Sequence, residues 1–487
     1  MARPARARLT AADRRRRGLV ALSGGLSIVL CWSGLGGPVP WRSGPGAGGP
    51  PTPDAAVTPI WSARRAPTVV GDALGAQVLA DRLGALAAGG SHCHLVVDGG
   101  GVVSAAAPDD PLVPASTLKL VTGAAALLTL GADARLETRV VAEGPVGRDG
   151  RVERLWLVGG GDPLLVTPEG EAVRERDPRT RGLARSRLAE LAEAVVRAGV
   201  RAVPGGIFGD GSRYPDEAWP PAWPDRHRRS AVSGPVVALA VDDGLSGPGG
   251  TGAPVTDPAR EAAAALARLL AARGVRVGGA GSGPAPAGAV TVAALASPPV
   301  RDLVGETLAA SDNRTAEVLL REVALAAGRP AVTAAGVAAV GVALRRVRLG
   351  MAARTMVDGS GLAPGNRLRC RTLVALLRAA ARRPELAALR EGLAVAGERG
   401  TLATQFVGTA LVGRLRAKTG TLDGVAGLAG FVDGDRPLVF ALLVNGSFGE
   451  SAGIARRERM ATAIAAFPDV GDPAEWVPGP RAPAPGA

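Results

Sequence analysis

The chain has 487 residues, 47% of them hydrophobic and 21% charged, a balance that excludes a disordered polymer and allows two or three domains with sizeable cores. The formal net charge of +13 suggests nucleic-acid binding at first sight, but seven arginines within residues 1–17 supply much of it and no basic run is interleaved with aromatics, so the charge argues against a nucleic-acid partner. Of the 57 lysines and arginines, only Lys119 and Lys418 are lysine.

In chain order, residues 1–36 carry the arginine-rich start followed by an apolar run from Gly18 to Trp32. That run suits a signal-peptide core and falls short of the ~20 residues that span a bilayer, so the segment reads as a signal peptide or as an uncleaved membrane anchor, and the protein as exported. Residues 37–70 are rich in proline and glycine without periodicity, which predicts a linker, and residues 469–487 predict a disordered tail of the same character. "HLVVDGGGVVSA" predicts two short strands about a glycine turn. "ASTLKLVTGAAALLTLG", opened by Pro114 and closed by Gly131, is apolar nearly all round and predicts a central buried helix. "RVERLWLVGGGDPLL" predicts a strand running into a turn. Amphipathic helices follow at "RSRLAELAEAVVRAGV" and "AREAAAALARLLAARGV", and "RTAEVLLREVALAAG" predicts a helix starting just after "SDN". "VAGLAGFVDGDRPLVFALLVNG" predicts an antiparallel hairpin on an Asp-Gly turn. The fold class is therefore α/β or α+β.

The lysines locate the chemistry. An arginine bias this strong removes lysine wherever only charge matters. Arginine cannot give up its proton, whereas a buried lysine can, and can then activate a nucleophile. Ser116 and Lys119 are spaced i, i+3, so their side chains share a helix face beside the unpaired N–H groups of the helix start. Ser311-Asp312-Asn313 lies between two helices; alone it would be read as an N-cap. Lys418-Thr419-Gly420 leads toward the final hairpin, and alone would be a loop-to-strand transition. Together, in this order and with both lysines used, they resemble the Ser-x-x-Lys, Ser-x-Asn and Lys-Thr-Gly set of the penicillin-binding proteins and serine β-lactamases, where the serine is the acylated nucleophile.

The chain resembles the class C low-molecular-mass penicillin-binding proteins, the D-alanyl-D-alanine carboxypeptidase/endopeptidase family. The likeness runs over about residues 90–446 and includes "PLVPASTLKL", "LWLVGGGDPLL", "SDNRTAEVLL", "DGSGLAPGNRL" and "AKTGTLDGVAGLAGFV". It implies a penicillin-binding, transpeptidase-like domain, an antiparallel sheet flanked by helices, made of residues 71–142 and 299–468. An inserted domain or domains at 143–298 would fill the 195 positions between Ser116 and Ser311. The resemblance also implies that Ser116 is acylated and Lys119 is its base, with Ser311 and Lys418 relaying the proton to the leaving amine. Asn313 would orient Lys119 and the substrate amide, Thr419 and Gly420 would border the substrate carboxylate, and the N–H groups of Ser116 and Thr421 would form the oxyanion hole. The implied substrates are peptidoglycan stem peptides and the implied inhibitors β-lactams, with no cofactor and no metal. A serine β-lactamase and a non-catalytic wall-binding protein are the rival functions.

Three side readings complete the sequence. Cys93 and Cys370 are open to pairing or to remaining free buried thiols. His92 and His94 alternate on one side of a strand, a candidate metal pair that reads more simply as ordinary strand residues. Trp219 and Trp223 read as packing between domains in preference to a glycan-facing surface.

Overall fold

Two runs of alternating or continuous apolar residues, far apart in the chain, build the main sheet. The computed structural model describes residues 67–229, 232–349 and 356–469. The sequence-predicted signal or anchor segment and nearly all of the flanking linker and tail therefore lie outside the described residues. Six strands run in the spatial order Ala394–Val395, Leu415–Leu422, Val425–Val432, Leu438–Gly446, Gly90–Val97 and Val102–Ala106, every pairing antiparallel. The predicted hairpin is present, and its second strand pairs with Gly90–Val97 over eight residues, joining the two ends of the folded chain.

Side chains alternate across this sheet, as strand geometry requires. Val96, Leu428, Phe440 and Leu442 face the helices Pro67–Ala87 and Glu450–Ala465, where they pack with Leu83, Met460 and Ile464. Leu95, Val97, Ala429 and Leu443 face the opposite way, onto a helical layer centred on Lys119–Leu130. That helix buries its first nine residues, as its all-round apolar sequence requires. It stops at Gly131, whose φ of +90° is available to glycine at low cost.

A second sheet, formed from residues between 137 and 296, has the order Ala280–Ser282, Ile207–Asp210, Leu155–Val158, Glu137–Ala142 and Val290–Ala296. Its first two pairings are parallel and its last two antiparallel. Helices Leu188–Arg197 and Pro258–Ala271 cover it with their own apolar cluster.

The helix Asn313–Ala326 ties this region to the main sheet's helical layer. Buried Arg314 donates to the carbonyls of Pro163, Pro235 and Val237, and Arg213 forms a two-pronged pair with Glu322 at 2.9 and 2.6 Å. Trp223 is buried with Tyr214, Val318 and Leu362, and its indole N–H donates to Asp358 at 2.9 Å, so it is a packing residue of the interior. Cys93 and Cys370 form a disulfide linking the first strand of the sheet to the helix Cys370–Ala380, which closes the alternative of free thiols. No helix among the described residues is long and apolar enough to cross a membrane.

Candidate active site

Ser116 lies in a single 3₁₀ turn, Ala115–Leu118, which runs straight into the helix that begins at Lys119. The i, i+3 spacing does what the sequence suggests: Lys119 Nζ donates to Ser116 Oγ at 2.8 Å. The same ammonium donates to Asn313 Oδ1 at 2.7 Å and to the Ser360 carbonyl at 2.8 Å. Three acceptors use all three of its N–H groups. Asn313 completes its own bonding through Nδ2, which donates to the Val232 carbonyl at 2.9 Å.

The strand Leu415–Leu422 runs past the Ser116 turn. A Cβ on Gly420 would sit 2.7 Å from the Pro114 carbonyl oxygen, so only glycine permits the approach. Thr419 Oγ1 lies 3.0 Å from Thr401 Oγ1. Lys418 is fully buried and its Nζ donates to the Thr419 carbonyl at 3.0 Å; it makes no hydrogen bond to Ser116 or Ser311. Ser311 precedes the helix cap in a left-handed conformation with φ of 65°, and Ala115, just before Ser116, has φ of 45°. Backbone strain of roughly 1–3 kcal/mol at each is held by the surrounding packing, and Ser311 lines the cleft that Ser116 faces. Asp312 caps the helix by accepting from Thr315 N–H, so the cap and the site function coexist in one tripeptide.

Burial controls the electrostatics. It pulls Lys119 down to about 8, against the opposing pull of Asp312, Asp358, Glu317 and Glu306. Lys418 is pushed well below the ordinary lysine range, first by burial and then by the charges of Lys119 and Arg457. Both lysines are therefore held toward the neutral form, and Lys119 loses its proton in the mildly alkaline range.

Residues that the motif reading missed hold Lys119 in place. Glu317, in the helix after "SDN", accepts the N–H groups of Gly359 and Ser360 at 2.8–3.0 Å, which turns the Ser360 carbonyl onto Lys119. Burial, together with nearby Asp358, raises Glu317 to about 8. Asp358 in turn accepts from Trp223, Gly361, Ala363 and Asn366 and fixes the whole "DGSGLAPGN" loop. Gly361 has φ of +86°, and a Cβ there would strike the Ala115 carbonyl. The signal available in the sequence was the loop's density of Asp, Gly, Ser and Asn; the loop's partner could not be read from it.

These groups open onto a cleft of about 600 Å³ lined by Ser116, Ser311, Asn313, Thr419 and Thr421 on one side. Arg174, Arg179 and Asp243, from the region between the first two motifs, line the other. His94 is buried elsewhere, in the strand Gly90–Val97, with Nε2 2.9 Å from Ser104 Oγ, and no metal-binding cluster exists among the described residues.

A family model for D-Ala-D-Ala carboxypeptidase 3 (S13) matches residues 95–249 and 246–467. A carboxypeptidase of Mycobacterium tuberculosis is 37% identical over 353 residues, covering 69% of this chain and 72% of its own length. The D-alanyl-D-alanine carboxypeptidase of Actinomadura sp. is 29% identical over 436 residues, covering 74% and 78%. Penicillin-binding protein 4 of Haemophilus influenzae shares the fold at 22% identity with a TM-score of 0.63, covering 80% of this chain and 98% of that one. Its β-lactam complex superimposes with a TM-score of 0.58. The chain thus belongs to the D-Ala-D-Ala carboxypeptidase 3 (S13) family, and is a serine-type D-alanyl-D-alanine carboxypeptidase.

Proposed function

We propose that hydrolysis runs through an acyl-enzyme on Ser116, with Lys119 as its base. The observation that carries this reading is the 2.8 Å contact between a desolvated Lys119 and Ser116 Oγ. Neutral Lys119 takes the serine proton as Oγ attacks the carbonyl between the two D-alanines. The N–H groups of Ser116, at the start of the 3₁₀ turn, and of Thr421 receive the oxyanion. The C–N bond then breaks, and the proton passes through Ser311 and Lys418 to the departing D-alanine amine. Water attacks the ester, Ser116 recovers its proton, and the shortened stem peptide leaves. Asn313 positions Lys119, and Thr419 and Gly420 border the site of the substrate carboxylate.

The same acyl chemistry serves D,D-endopeptidase cleavage of cross-links, and a β-lactam carbonyl acylates the same serine. The region 143–298, together with the strand Glu137–Ala142 that its sheet incorporates, acts as an inserted domain that supplies the Arg174 and Arg179 wall of the cleft, the catalytic domain being the chain before that strand with 299–468. Work at the cell wall requires export; the N-terminal segment supports it, as does the Cys93–Cys370 disulfide, since such bonds persist in oxidising compartments.

Labelling with a fluorescent penicillin tests the reading. The protein should carry a persistent label, and Ser116→Ala should carry none. An equally labelled Ser116→Ala would refute the nucleophile, and penicillin destroyed without a label would make the protein a β-lactamase.

A further inference from the structure

Arg457 lies on the helix Glu450–Ala465 behind the Lys-Thr-Gly strand and lines the same cleft as Ser116 and Thr419. Its side chain is almost wholly buried, at 2% exposure, yet it has no ion-pair partner among the described residues. One guanidinium nitrogen donates to Thr421 Oγ1 at 2.5 Å and another to Gln405 Oε1 at 3.2 Å, both neutral oxygens, while Nε has no hydrogen bond. The carboxylate that bears on it is Glu458, its neighbour in sequence. Glu450, on the first turn of the same helix, also lines the cleft but lies two turns away along the axis.

A buried cation without a counter-ion is costly; around Arg314 backbone carbonyls take a bond from each guanidinium nitrogen, whereas Arg457 leaves Nε unpaired beside the cleft, where a ligand would supply the missing charge. The bond from Arg457 to Thr421 also fixes the direction of that hydroxyl. Since Oγ1 accepts from the guanidinium, its own proton is free to be donated into the cleft. Thr419 stands two residues earlier on the same strand, on the same face.

Resting on the acyl-enzyme reading above, we propose that Arg457 is the specificity-determining residue for the free C-terminal carboxylate of the substrate. The terminal D-alanine carboxylate completes the charge of Arg457, and Thr421 donates its hydroxyl proton to it. This holds the scissile carbonyl over Ser116. An arginine that recognises a terminal carboxylate favours carboxypeptidase cleavage over attack on a peptide continued as an amide.

The test compares an N-acetylated tripeptide ending in D-Ala-D-Ala with the same peptide as its C-terminal carboxamide, reading release of D-alanine and D-alaninamide by mass spectrometry. Wild-type protein should prefer the free acid by about 30-fold or more in kcat/KM, the scale of a charge-assisted hydrogen bond. Arg457→Gln, which keeps hydrogen-bonding capacity and loses charge, should erase most of that preference, chiefly through KM. Arg457→Lys should restore part of it. Equal use of acid and amide by the wild-type protein overturns the proposal even if the variants fail to fold. So does a parallel loss of both activities in Arg457→Gln, which would mark a structural role. Failure of the wild-type protein to release either product would instead refute the acyl-enzyme reading on which the proposal rests.

Discussion

With Lys119 as the proposed base, its charge state would set the rate of acylation, and its surroundings predict how that rate depends on pH. Burial lowers Lys119 to about 8, and the base must be neutral to accept the Ser116 proton. The neutral fraction is then about a hundredth at pH 6, about a tenth at pH 7 and about nine-tenths at pH 9. The second-order rate of acylation by a chromogenic β-lactam, followed by stopped-flow absorbance, should therefore rise with pH, by roughly 90-fold between pH 6 and pH 9. Four acidic groups oppose the effect of burial, with Asp312 first among them; Glu317, itself raised to about 8, changes charge over the same pH range. Asp312→Asn keeps a good helix cap and removes that charge. It should move the inflection to lower pH and raise the rate at pH 6. Lys119→Arg should lower the rate about 10²–10⁴-fold and abolish the inflection, because arginine stays protonated throughout. A flat profile in the wild-type protein, or an alkaline shift in Asp312→Asn, would refute Lys119 as the base.

Further outcomes follow from the packing around the site. Replacing Cys93 and Cys370 by serine opens a loop closed across 277 positions and should cost about 2–5 kcal/mol, read as a lower urea midpoint, with a steeper slope because the unlinked denatured chain exposes more surface. Gly361→Ala should lower acylation more than it lowers the melting temperature, because the added methyl meets the Ala115 carbonyl and displaces the turn that holds Ser116. Glu317→Ala removes the acceptor of the Gly359 and Ser360 N–H groups, so the Ser360 carbonyl should no longer hold Lys119. Acylation should fall at least tenfold with Ser116 still the labelled residue, as peptide mapping of the labelled protein would show.

The sequence by itself determined the local structure and pointed to the candidate reacting groups. The i, i+3 spacing of Ser116 and Lys119, the apolar run behind them, the Asp-Gly hairpin and the helix start at "SDN" are short-range features. They follow from periodicity, capping and turn chemistry, which act within a few residues. The restriction of lysine to 119 and 418 pointed to proton chemistry because only lysine, of the two cations, can be discharged by burial. Tertiary structure alone decided what discharges and aims them. The Lys119 ammonium is held by Asn313, 194 positions away, and by the Ser360 carbonyl, 241 positions away. Glu317 orients that carbonyl from a helix whose pattern reads only as amphipathic. Arg457 looks in the sequence like any of the many arginines, and its isolation from carboxylates exists only once its helix packs behind the Lys-Thr-Gly strand. The Cys93–Cys370 bond has the same origin. Contacts of this range depend on which apolar faces bury one another, and no local spacing encodes that choice.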